Sequence, residues 1–161
     1  MQQSTGSRNP RKSEQPDVEV GWSDYPRIEP GTYTAYSRSA RWYLDPNFKR
    51  WVCLLTFDVL SANLLHTFAR VPMFLNGGAG AQPKAGRRSR YWAEWVHAAG
   101  KPSRANRLSP QAFTRRVARV EVRDTEGSAP YSVVCQILSW ETGSLLGQSV
   151  NKSHSQGRHE G

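Results

Sequence analysis

Apolar and polar positions alternate along most of the middle of the chain, and the phase of that alternation predicts strands. The clearest run is Trp51 to Val59. Its odd positions Cys53, Leu55, Phe57 and Val59 form one apolar face, and Thr56 and Asp58 face the other way. Upstream, the Pro30-Gly31 turn leads into Thr32-Tyr33-Thr34-Ala35-Tyr36 and on through Arg38 to Tyr43, a β-branched and aromatic stretch long enough to bend. Asp45-Pro46-Asn47 and Ser61-Ala62-Asn63 punctuate as turns. A third strand is expected from about Leu65 to Phe74, where Pro72 must sit at an edge or a bulge. Further on, Ala118, Val120 and Val122 alternate with Arg119, Glu121 and Arg123 within a strand from Arg115 to Arg123. A last strand runs from Tyr131 to Trp140, with Glu126-Gly127-Ser128 in the turn between.

One segment changes period. From Arg90 to Ala99, Tyr91, Trp92, Trp95, Val96 and Ala99 fall on one face of a helix, with Ser89 placed to cap it and Gly100 and Pro102 to end it. Ser109-Pro110 opens a short turn that ends at Phe113. The predicted order is strand, strand, strand, helix, strand, strand. A mainly β fold follows: a five-stranded OB-like Greek-key barrel with an amphipathic helix between strands 3 and 4. A small open sheet with one packed helix is the structural alternative. The OB-like domain is expected over residues 21–142, between a disordered N-terminal tail (1–20) and a flexible C-terminal tail (143–161), both polar and without apolar periodicity.

Charge sharpens this picture. The 161 residues carry 22 Lys and Arg against 13 Asp and Glu, for a net charge of +9. The stretch from Lys84 to Arg123 holds eleven basic residues and two acidic ones, so the rest of the chain is neutral in sum. Arg outnumbers Lys by 17 to 5. The planar guanidinium fork matches phosphate oxygens and stacks on bases, which a hydrated ammonium does less well. A segment of this kind attracts polyanions by counterion release.

The sequence excludes several classes. No apolar run approaches the length of a membrane span, and residues 1–15 lack the core of a signal peptide, so a cytoplasmic protein is expected. Cys53 and Cys135 sit in apolar runs and read as reduced, buried thiols. The His and Cys residues have no metal-ligand spacing, the carboxylates do not cluster, and Asn76-Gly77-Gly78-Ala79-Gly80 matches no phosphate-cradle motif. No catalytic constellation, cofactor or metal is expected. The glycines of that stretch read as loop freedom.

Ser89-Arg90-Tyr91-Trp92-Ala93-Glu94-Trp95 followed by Phe113-Thr114-Arg115-Arg116-Val117-Ala118-Arg119-Val120 resembles the helix and fourth strand of OB-fold single-stranded-DNA-binding proteins of phages and mobile elements. The resemblance spans Pro30 to Trp140 in order and character. It implies a sheet face and loops that grip single-stranded nucleic acid, DNA before RNA. The chain departs from many bacterial members in lacking an acidic C-terminal tip, since it ends in His159-Glu160-Gly161.

Binding to a single strand needs cations along its backbone and aromatic rings for its bases. Arg115, Arg119 and Arg123 share one parity and are expected to line a groove, with Arg87, Arg88 and Arg90 on the loop that precedes the helix. Trp42 and Trp51, with Arg38 and Arg41 interleaved, are the candidate stacking pair, and Tyr36 is a weaker one. Trp92 and Trp95 read as core. The partners the sequence admits are a single-stranded nucleic acid, an acidic protein docked on the basic segment, and a further copy of the chain. Duplex recognition is disfavoured, because no helix is both exposed and basic along one face.

Overall fold

The computed structural model describes residues 25–104 and 107–142. The predicted N-terminal and C-terminal tails, 1–20 and 143–161, fall outside the described residues. Five strands form one antiparallel sheet: β1 (Gly31–Asp45), β2 (Arg50–Leu60), β3 (Thr67–Asn76), β4 (Arg116–Asp124) and β5 (Ser132–Trp140). A single helix, α1 (Arg90–Ala99), lies between β3 and β4, with a 3-10 turn at Pro110–Phe113. The order across the sheet is β3-β2-β1-β4-β5.

The 15-residue β1 organises this sheet. It pairs with β4 over Gly31–Ser37 and with β2 over Ala35–Asp45, so it serves both halves of the sheet. A bulge between Ser37 and Ser39 bends it where the pairing with β4 ends. Strand β3 is an edge, which accommodates Pro72 opposite Thr56. The far ends of the ladder, β3 and β5, curl into contact without pairing.

Alternation sorts the side chains as the sequence predicts. Cys53, Leu55, Phe57 and Val59 of β2 pack with Val71, Met73 and Leu75 of β3, Ala35 of β1 and Val120 and Val122 of β4. Tyr91 and Phe113 close this core from the helix side, with their rings edge to face. Ser89 caps α1 by accepting from the Trp92 amide at 3.2 Å, and Gly100, at φ 79°, ends it. The helix is tied down by two side chains. The Tyr91 hydroxyl donates to the Leu108 carbonyl at 2.7 Å, and the Trp95 indole donates to the Ser109 carbonyl at 2.9 Å.

The Gly-rich stretch departs from the expectation of loop freedom. Gly77 and Gly78 are clasped by the Trp51 backbone in bonds of 2.8 Å, and the Trp51 indole donates to the Gly80 carbonyl. The reason for glycine at position 77 is close approach. A Cβ there would stand 2.3 Å from the Trp42 ring.

Candidate nucleic-acid interface

The face of the sheet turned away from the core carries the residues of the other parity. On β1, β2 and β3 these include Tyr36, Arg41 and Tyr43, then Leu54 and Asp58, then Arg70 and Phe74. At its middle, Asp58 receives Arg38 at 3.1 Å and Arg70 at 2.9 Å. The Asp58 side chain is 8% exposed, whereas both arginine side chains are 56% exposed. One sheltered carboxylate therefore holds two forks in place on the surface while leaving much of each free for an anion, and the trio carries a net positive charge.

Aromatic rings gather farther along the same face. Tyr25 stacks on Tyr131 with centroids 4.9 Å apart and meets Phe74 edge-on at 6.4 Å, bridging the gap between β3 and β5. Tyr43 lies near both tyrosines; burial first, then the Asp45 charge, pushes its hydroxyl up, while Arg41, 5.7 Å from the ring centroid, opposes. Tyr25 is 46% exposed, so this cluster is open to solvent.

Beside it, Phe74, Tyr131, Arg90 and Arg123 line a cleft of about 310 Å³ in the β3–β5 seam. A bulge in β5 creates its wall. Cys135 is the extra residue between Gln136 and Val134 in the ladder with β4, and its carbonyl accepts from Arg90 instead. Arg123 lines the same cleft from β4, and the Cys135 thiol donates to the Glu121 carbonyl at 3.3 Å. The seam thus brings together two cations and two rings from β3, α1, β4 and the residue that precedes β5.

The predicted site residues divide into groups. Arg38 and Arg41 lie on the outer face, Arg90 and Arg123 meet in the seam, and Arg119 is exposed on the outer side of β4 between Thr34 and Ser139. Arg115 does not continue that row. It stands before β4 in a left-handed corner at φ 58°, its amide donating to the Ser37 carbonyl. Arg87 and Arg88 are exposed on the turn ahead of α1. Trp42 and Trp51 lie on the opposite, inner side: Trp42 packs on Tyr91 with centroids 4.7 Å apart, and Trp51 anchors the Gly-rich segment. The structure therefore does not bring the tryptophan pair together with the arginines.

Sequence reasoning did not single out Arg70, Phe74, Tyr25 or Tyr131. Alternation did signal part of this. In β3, Ala69, Val71, Met73 and Leu75 point inward, which sends Arg70 and Phe74 outward beside Asp58 and Leu54. Tyr25 and Tyr131 had no local signal, because their meeting depends on where the chain enters the sheet.

Among the described residues no group of three or more His, Cys, Asp or Glu is placed to hold a metal ion, and no helix is long and apolar enough to cross a membrane. Cys53 and Cys135 are free thiols, Cys53 buried and Cys135 partly so. No family model matches the chain, and no curated protein sequence matches it.

Proposed function

We propose that this protein is an OB-like barrel that binds single-stranded nucleic acid, DNA before RNA and with little sequence preference, across the outer face of β1, β2 and β3 and into the β3–β5 seam. The strand order β3-β2-β1-β4-β5 with β3 and β5 in contact supports the barrel, because joining those two edges would complete a Greek-key barrel. The observation that carries the function is the meeting of Arg90 and Arg123 with Phe74 and Tyr131 beside the exposed Tyr25 ring. Rings for bases and forks for phosphates lie side by side on one surface, the pairing that sequence-tolerant single-strand binding needs. Arg38, Arg41 and Arg70 extend the cationic track across the sheet.

Fluorescence anisotropy of a labelled oligothymidine and of a matched duplex, each titrated at low and at near-physiological salt, tests this reading. The single strand is expected to bind more tightly and to retain measurable affinity at the higher salt. Equal, weak binding of both that vanishes with salt would reduce the surface to general electrostatics. Preferential capture of an acidic polypeptide would replace the nucleic acid by a protein partner.

A further inference from the structure

A second cleft, of about 820 Å³, opens between Gln82–Gly86, which follow the Gly-rich segment, and residues Arg107–Ser109. We infer that it binds a nucleoside monophosphate group, with the partly exposed Trp42 ring, backed by the buried Tyr91, as the aromatic wall for the base and Lys84 and Arg107 as the cations for the phosphate. The group arrives either as a free nucleotide or as the terminal nucleotide of a strand.

The volume lies in the range of small-ligand sites, and the walls are fixed in advance. On one side, the Lys84 amide donates to the Gly77 carbonyl at 2.9 Å, and Trp51 holds Gly77, Gly78 and Gly80. On the other, Tyr91 and Trp95 each donate to a main-chain carbonyl, at Leu108 and Ser109. Four aromatic side chains and the bare Cα of Gly77 thus keep the cleft in shape without filling it. Its lining contains no carboxylate, and among the described residues neither Lys84 nor Arg107 forms an ion pair. Two unneutralised cations facing an aromatic wall suit a ligand that is both flat and anionic, and the Gln82 amide and Ser109 hydroxyl add hydrogen-bonding groups for base edges or sugar. This site shares no lining residue with the β3–β5 seam, so it stands apart from the proposed strand-binding face.

The test uses the full chain. Thymidine monophosphate, thymidine, and oligothymidines with and without a terminal phosphate are titrated by calorimetry and tryptophan emission. The same ligands are then titrated into the Lys84→Glu/Arg107→Glu variant, whose two positions are exposed. A free-nucleotide site is expected to show saturable binding of thymidine monophosphate, at least tenfold weaker binding of thymidine, and at least tenfold loss in the variant. A strand-end site shows the tenfold loss only with the phosphorylated oligothymidine. In either case the unphosphorylated oligothymidine loses far less affinity than the phosphorylated one, which separates this site from the outer face, and Trp42→Phe removes the emission change and weakens nucleotide binding. Nucleotide binding that is indifferent to the double variant, or that is lost instead with Arg119→Ala/Arg123→Ala, overturns the inference. So does the absence of any dependence on a phosphate.

Discussion

Asp58 and Cys53 lie on the same strand, five residues and one face apart, and they differ in their partners. Asp58 is sheltered yet doubly paired, and its two oxygens orient Arg38 and Arg70. Cys53 stands opposite Trp42 on one side and Leu75 on the other, with no exposure and no charge partner. Burial alone pushes its thiol up from 9.0 to about 12. The folded protein therefore holds this proton through a range in which the unfolded chain releases it. The contribution to stability is fully present below pH 9.0 and is lost as the pH rises toward about 12. Urea unfolding followed from neutral to strongly alkaline pH should show a progressive loss of stability, and Cys53→Ala should flatten that loss while lowering stability at neutral pH. An unchanged alkaline slope in the variant would assign the effect to Tyr91, whose hydroxyl burial also raises.

At the scale of elements, two arginines three residues apart in β4 have unlike roles. The left-handed corner at Arg115 turns Arg116 inward. There its guanidinium donates to the Ala98 carbonyl at 2.6 Å and the Ala112 carbonyl at 3.2 Å, and lies 4.6 Å from the centroid of the Trp140 ring. It fastens the end of α1, the 3-10 turn and β5 to one another. Arg119, on the outer face, makes no ion pair among the described residues. Arg116→Ala should cost about 2 kcal/mol of stability, and Arg119→Ala should stay within about 0.5 kcal/mol, as an exposed residue does. Chemical denaturation of the two variants checks this, and equal losses would contradict the division. The contrast also marks what the sequence makes legible. Alternation and caps located the five strands and the helix, because those signals are local. The bulge at Ser37–Ser39 and the corner at Arg115 reset the phase of their strands, and side-chain direction beyond them depends on pairing. The aromatic cluster of Tyr25, Phe74 and Tyr131 comes from three separate segments, so its convergence is tertiary. Trp42 and Trp51 drew attention by their large rings among arginines, yet the same size makes them useful for packing the inner side.

For the whole molecule, a charge of +9 guarantees some attraction to any polyanion, so affinity alone does not distinguish a groove from a basic surface. The salt dependence does, because its slope counts the phosphates neutralised in the complex rather than the total charge. Arg119 and Arg123 lie on the outer side of β4, and Arg123 reaches the seam where the rings collect. If both neutralise phosphates of a bound strand, replacing them removes two contacts. For single strands each contact contributes about 0.7 to the slope of log affinity against log salt, so Arg119→Ala/Arg123→Ala should flatten the slope by roughly 1.4 and weaken binding at every salt concentration. Arg27→Ala is a comparison for lost charge, one unit against two: Arg27 is already paired with Asp124 at 2.8 Å, so its removal should leave the slope nearly unchanged. Equal flattening per charge removed in the two variants would mean that a bound strand senses only the overall charge. Flattening confined to the β4 pair would place the strand against the seam, where Arg90 and Arg123 line the cleft beside the stacked tyrosines.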